Sequence, residues 1–266
     1  MTSIELTELE VELRRRLTQL LDSGIQLTVV EAIDSTNAQL KAQAETSNQT
    51  LLLAREQTAG VGRRGSRWQS PPAGNLYLSY CVHSGRPLTE LSLWSLGVTV
   101  AIADALEREL SLECKIKWPN DLYVHGMKVG GVLLETMSLA TDNVALVIGV
   151  GLNVASHPDP ELLQRPVTCL SKHTDRPVDL SVVAAVVSAS VVDMCGLSHA
   201  ALQAWLMSSW PSRDLLLNQP VVVPTLGEGS GIARGLSHDG GLQVEFAGGL
   251  RTVYAGEVSL GHVDTQ

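Results

Sequence analysis

The chain changes character across Pro211–Asn218, and that change limits the fold more than any other feature. Upstream, helical periods alternate with apolar runs. Leu93, Leu96, Val100, Ala103 and Leu106 share one face of a helix predicted over about 90–110. Asp179 caps a strongly apolar helix over 180–194, and another helix follows over about 198–209. Downstream, the strand candidates are short: 221–223, 229–237, 241–246 and 250–258, with Gly and Asp turns between them. Leu242, Val244 and Phe246 alternate with Gln243 and Glu245, the period of a half-buried strand. An α+β body over 1–216 and a small antiparallel barrel over 217–266 are therefore expected.

Within the body, Leu6, Leu9, Leu13, Leu17 and Leu20 predict one helix over 3–22, stopped at Gly24. A strand is expected at 28–31, and Asp34-Ser35-Thr36-Asn37 then caps a helix over 37–44. Strands follow at 50–54, 76–83 and 115–118, with 55–75 left as loop. Residues 122–124 and 128–135 read as hairpin arms around His125-Gly126. The most apolar strand, 143–154, is expected at the centre of the sheet, before a polar connection over 155–178 with a short helix at 159–163.

Composition excludes several classes. With 44% hydrophobic and 18% charged residues, the 266-residue chain is neither disordered nor fibrous. Its 19 basic and 28 acidic residues give a net charge of −9, a poor match to a dedicated nucleic-acid binder. One N-terminal helix is too little for a winged DNA-binding domain, so no DNA binding is expected. Cys81, Cys114, Cys169 and Cys195 form no CxxC pair, which argues against a disulfide scaffold or a Cys-rich zinc site. No signal-peptide core or membrane-length apolar run occurs, so a soluble cytoplasmic protein with no membrane contact is expected.

Three segments carry the chemistry. In Gly60-Val61-Gly62-Arg63-Arg64-Gly65-Ser66-Arg67-Trp68, arginines suit phosphate or carboxylate and glycines let backbone approach a ligand. A solvated basic loop is the alternative. The segment is neither a P-loop nor a dinucleotide fingerprint. Its glycines predict a lid whose order comes from ligand contacts. In the second segment, Lys117-Trp118-Pro119-Asn120-Asp121-Leu122-Tyr123, Asp121 follows a strand end, and Lys128 opens the next strand before Gly130 and Gly131. A Lys and an Asp there can clamp a phosphate and Mg²⁺, or be ordinary hairpin charges. In the third, Gly149 and Gly151 flank the end of the apolar strand before Asn153, where backbone can meet ligand.

The order and wording of these segments, with Asn75-Leu76-Tyr77-Leu78-Ser79 between them, resemble the biotin protein ligase family over about residues 28–260. The resemblance implies a mixed sheet with helices packed on it, like the catalytic domain of class II aminoacyl-tRNA synthetases, plus an SH3-like C-terminal barrel. It implies synthesis of biotinyl-5′-AMP from biotin and ATP with Mg²⁺, then transfer of biotin to a lysine of the biotin carboxyl carrier protein of acetyl-CoA carboxylase, by a monomer or homodimer. Ser35, Thr36, Asn37 and Gln57 match residues near the biotin ureido ring. Gly60 to Arg67, with Arg64 and the adjoining Trp68, match the loop over the adenylate. Arg63 matches the arginine that restrains its release. Lys128 matches the lysine on the biotin carboxylate and α-phosphate. Asp121 matches the acidic residue beside the phosphates, and Asn153 a polar residue at the nucleotide end; these two are the metal candidates. Gly130, Gly131, Gly149 and Gly151 match backbone approach points, and Trp118 is read as packing.

The chain departs from the family loop at Val61 and Ser66, where arginines are usual. Val61 brings no guanidinium, whereas Arg67 lies one place beyond Ser66. A lipoate-ligase-like enzyme shares the adenylate chemistry and is the rival reading. A non-catalytic carrier-binding module is the other, although it predicts loss of Lys128 or Asp121.

Overall fold

A computed structural model describes residues 6–71, 74–86, 90–140, 143–256 and 258–260. Seven strands form the larger sheet: β1 (Gln26–Ile33), β2 (Thr50–Gln57), β3 (Leu76–Ser84), β4 (Lys115–Lys117), β5 (Asp121–Val124), β6 (Met127–Ser138) and β7 (Val144–Leu152). Their order is β1-β2-β3-β7-β6-β5-β4. Only β1 and β2 run parallel, joined by the crossover helix α3 (Thr36–Ala42). The other neighbours are antiparallel, so the sheet is mixed.

Alternation along β7 divides the molecule. Leu146, Ile148, Val150 and Leu152 are buried in the main core. That core also holds α1 (Leu6–Arg16), α4 (Leu91–Leu110), α6 (Leu180–Gly196) and α7 (His199–Arg213). Ala145 and Val147 point to the opposite face and pack with Leu40, Leu52 and Cys81 beside α3. The next two residues on that face are Gly149 and Gly151, so the apolar layer stops and a cleft begins.

A second sheet, ordered β11-β10-β9-β8-β12, is antiparallel throughout. It comprises β8 (Pro220–Val222), β9 (Ser230–Leu236), β10 (Leu242–Phe246), β11 (Gly249–Val253) and β12 (Ser259–Leu260). Trp118 ties the sheets together: it is buried, and its Nε1–H donates to the Gly240 carbonyl at 3.1 Å.

Three predicted elements differ from those observed. The first helix breaks at Leu17 into α1 and α2 (Thr18–Asp22), where the Thr18 hydroxyl donates to the carbonyls of Arg14 and Arg15. Leu9, Leu13 and Leu17 nevertheless share the core; residues 3–5 and the Leu6 side chain lie outside the described part. Helix α7 continues through Pro211 to Arg213. A local bond, Trp210 Nε1–H to Asp214 at 2.9 Å, and a tertiary one, Arg213 to Asp104, hold that last turn. The strand expected over 250–258 ends at Val253, and β12 begins only at Ser259; between them lies Gly256, whose φ of 130° no side-chain-bearing residue readily adopts.

All four cysteines are free, and burial pushes the Cys81 thiol up to about 11. Among the described residues, no group of three or more His, Cys, Asp or Glu is placed to hold a metal, and no helix is long and apolar enough to cross a membrane.

Candidate functional site

The cleft has a volume of about 310 Å³ and is floored by β6 and β7. Gly149 pairs with Ser79 on β3 and Leu133 on β6, and Gly151 pairs with Tyr77 and Gly131. A methyl group on Gly149 would collide with the Asn37 amide; one on Gly151 would meet the Trp68 ring at 2.6 Å. The floor is bare because larger side chains stand over it.

One end is neutral and polar. Ser35 caps α3, its hydroxyl accepting the Ala38 N–H at 3.3 Å. Gln57, at the end of β2, accepts the Thr36 N–H at 2.9 Å through Oε1 and donates through Nε2 to Ser70 at 3.3 Å. Thr36 and Asn37 are buried and meet the Ser79 hydroxyl at 2.7 and 2.5 Å.

The other end is cationic. Lys128 and Asp121 pair at 2.5 Å across the β5–β6 hairpin, with the Lys128 side chain only 8% exposed. Burial pulls the Lys128 pKa below its ordinary value, against the opposing pull of Asp121. Its ammonium also lies 5.6 Å from the centre of the Trp68 ring. Arg63, Arg64, Arg67, Lys117 and Arg165 complete six cations around one carboxylate, Asp121. In a chain of net charge −9 this concentration of positive charge is a docking field for a polyanion.

The arginine segment is a small hairpin, bonded to itself rather than ordered only by a ligand. Val61 bridges Arg67, the Gly62 N–H donates to the Ser66 carbonyl at 2.7 Å, and the Trp68 N–H donates to Gly60 at 2.9 Å. Arg64 and Gly65 take left-handed conformations at its tip, and the Ser66 hydroxyl closes the turn on the Arg63 carbonyl. Arg63 Nη1 reaches Asn120 Oδ1 at 3.4 Å.

Most of the predicted residues line this one cleft: Ser35, Thr36, Asn37, Gln57, Arg63, Arg64, Arg67, Trp68, Asp121, Lys128, Gly131, Gly149 and Gly151. Gly60 instead lies under the Trp68 carbonyl, and Gly130 packs against Leu152. Asn153 lines an adjoining recess with Arg67, Trp68, Lys128 and Arg165. Its Nδ2 donates to Thr168 at 3.0 Å, and its buried Oδ1 has no partner among the described residues. Sequence reasoning missed Lys117 and Arg165 as cleft cations, and Pro224, Gly256, Val258 and Ser259 from the second sheet. Lys117 sat inside the singled-out motif. Arg165 gave no signal, because it arrives through a long-range bridge between Lys128 and Val167.

Comparison with known proteins gives a consistent picture. Residues 29–153 match the model of the Biotin/lipoate A/B protein ligase family, and residues 216–261 match the Biotin protein ligase C terminal domain. The bifunctional ligase/repressor BirA of Escherichia coli is 31% identical over 245 residues, covering 90% of this chain and 75% of that protein. The biotin–[acetyl-CoA-carboxylase] ligase of Paracoccus denitrificans is 30% identical, covering 86% and 98% respectively. The structure of the Aquifex aeolicus biotin protein ligase in complex with biotin and ATP superposes with a TM-score of 0.69 at 31% identity, covering 89% of this chain and 99% of that one.

Proposed function

The chain belongs to the biotin protein ligase family, and on that footing we propose that it activates biotin with ATP and attaches it to one lysine of the biotin carboxyl carrier protein of acetyl-CoA carboxylase. The observation that carries this reading is one cleft with a neutral hydrogen-bonding end and a cationic end, meeting over bare glycine backbone. Biotin is built the same way: a neutral cyclic urea at one end, a carboxylate at the other. In this reading residues 1–216 carry the chemistry as a domain distinct from 217–266, and Pro224, Gly256, Val258 and Ser259 close one side of the cleft.

Two anions must meet in the first step. A biotin carboxylate oxygen attacks the α-phosphorus, the bond from that phosphorus to the bridging oxygen breaks, and pyrophosphate leaves. Lys128, buried at the cationic end, would hold both the carboxylate and the α-phosphate, and Arg63, Arg64 and Arg67 would oppose the remaining phosphate charge. Asp121 gives one oxygen to Lys128, and its Oδ2 carries no bond among the described residues. Mg²⁺ commonly takes one or two carboxylates plus substrate phosphates, so Asp121 fits as its protein ligand, and the unpartnered Asn153 Oδ1 is the second candidate. The ion would supply charge neutralisation of the phosphates. In the second step the neutral amine of the carrier lysine attacks the acyl carbon, the anhydride C–O bond breaks, AMP leaves with that electron pair, and the amine's proton passes to the departing phosphate or to water. Positioning against a water-excluding lid suffices for that step.

The first family model also covers lipoate ligases. Two observations favour biotin: the match over 216–261 to a biotin ligase domain, and the hydrogen-bonding neutral end, which a dithiolane ring would leave unpaired. Pyrophosphate release from ATP is the test. It should require biotin and not respond to lipoate; release with lipoate alone overturns the assignment.

A further inference from the structure

We propose that Glu135 is a positioning residue that fixes which atoms at the neutral end of the cleft donate hydrogen bonds and which accept them. The inference rests on the biotin reading above and deepens it.

Glu135, on β6, does not line the cleft, yet it starts a continuous chain of hydrogen bonds that ends there. Its Oε1 accepts from Lys41 Nζ at 2.6 Å, and its Oε2 accepts from Asn37 Nδ2 at 2.9 Å. Asn37 then meets the Ser79 hydroxyl at 2.5 Å, Ser79 meets the Thr36 hydroxyl at 2.7 Å, and Thr36 lies beside Gln57 Oε1. Ser79, Asn37 and Thr36 are buried, so water cannot substitute for a lost partner.

Such a chain has a direction only if one member forces it. Serine and threonine each bring one proton and can turn it either way, and an asparagine amide can flip. A carboxylate only accepts. Facing Glu135 at 2.9 Å, and the Leu133 carbonyl more weakly at 3.5 Å, the Asn37 amide must present Nδ2, which turns Oδ1 toward Ser79. Oδ1 takes the single Ser79 proton. Ser79 Oγ can then only accept from Thr36, which commits the Thr36 proton as well. Thr36 Oγ1 and Gln57 Oε1 are left with lone pairs toward the cleft, whereas the Ser35 hydroxyl, already accepting from Ala38, has its own proton to give. Two acceptors and one donor complement the two N–H groups and one carbonyl of a cyclic urea. Lys41 supplies the counter-charge that holds the carboxylate in place, with both side chains only partly exposed.

Replacing Glu135 by Gln keeps the size and removes the acceptor-only end. Only the longer contact from Asn37 Nδ2 to the Leu133 carbonyl, at 3.5 Å, then favours the original amide orientation, and the protons of Ser79 and Thr36 are committed less firmly. The expected result is a rise of about tenfold in biotin Kd and KM, with the KM for ATP and for the carrier unchanged, since loss of one oriented hydrogen bond in a buried site has about that effect. Ser79→Ala, which cuts the chain at its midpoint, should weaken biotin binding similarly, and the double variant should add little because both changes break one path. Calorimetric titration of biotin into the full-length protein and each variant, with thermal unfolding as a check on folding, reads this out. Should Glu135→Gln fail to fold, Ser79→Ala and Lys41→Met, the latter expected to weaken biotin two- to threefold, decide the matter. Wild-type affinity in folded variants, a uniform loss across biotin, ATP and carrier, or simple additivity in the double variant overturns the role of Glu135. Absence of biotin binding by the wild-type protein is a different outcome, and overturns the underlying function instead.

Discussion

The floor of the cleft and the arginine hairpin above it are both glycine-rich, and they use glycine for opposite reasons. Gly149 and Gly151 lie in a strand bonded on both sides, and a side chain there would strike Asn37 or Trp68. Gly65 sits at a turn with φ of 76°, and a methyl group on it would meet nothing within 4 Å. The first two are bare because Asn37 and Trp68, which line the cleft, lie directly against their backbone. The third lets the chain reverse direction. Changes to the floor should therefore abolish function, whereas changes to the hairpin should tune it.

The sharpest contrast comes from Gly149→Val. The new side chain strikes the Asn37 amide, which Glu135 and Ser79 hold in place. Overpacking of this kind costs about 1–3 kcal/mol of stability. Biotin binding should fall beyond detection by calorimetry while thermal unfolding stays cooperative; retained binding would mean that the floor is softer than its pairing implies.

Lys128→Ala should come next. Loss of one donor at a developing charge costs about 2–4 kcal/mol, or about thirtyfold and upward in biotin-dependent pyrophosphate release. The same residue sets a pH limb. Burial lowers its pKa, so as pH rises through that value the ammonium loses its proton and its charge. Adenylation should therefore fade at a pH below the ~10.4 of a free lysine. Lys128→Arg should remove that limb, because a guanidinium keeps its charge across the same range. An alkaline limb that survives in Lys128→Arg assigns it to another group.

A smaller and different effect is expected from Arg63→Gly. Lys128 and Asp121 remain, so adenylate still forms, but the hairpin loses a cation that reaches across to Asn120. The activated anhydride should escape faster and label neutral surface lysines of a bystander such as serum albumin. Streptavidin blotting, with released adenylate quantified alongside, checks this, and equal release by both proteins would show that Arg63 is not the latch.

The smallest effect belongs to Gly65→Ala. Left-handed backbone costs alanine about 1–2 kcal/mol, confined to a hairpin tip in open space, so biotin affinity should hold and adenylate release should rise about two- to threefold. A loss as large as that of the floor variant would erase the distinction between the two regions.

How far the sequence led can be judged at particular residues. The alternation in Leu76–Val82 and the apolar run at 143–154 located the central strands, because strand period and burial are local signals. Ser35, Gln57, Asp121 and Lys128 were legible through their motifs, and they meet in one cleft. What stayed hidden depends on distant partners. Pro211 reads as a break, yet the helix runs past it because Trp210 and Arg213 are bonded to Asp214 and Asp104. The hairpin order of 60–68 could not be seen, because its bonds are backbone bonds between residues without strand character. Glu135 reads only as the end of a hairpin arm, and only the fold puts Asn37 and Lys41 against it.

The measurement that bears most directly on the whole account is the intact mass of an acetyl-CoA carboxylase carrier domain before and after incubation with this protein, ATP, Mg²⁺ and biotin. The cleft as described predicts a gain of one biotinyl group on a single lysine, dependent on all three small components. A carrier that stays unmodified under these conditions, with wild-type protein that is folded and binds biotin, would contradict it.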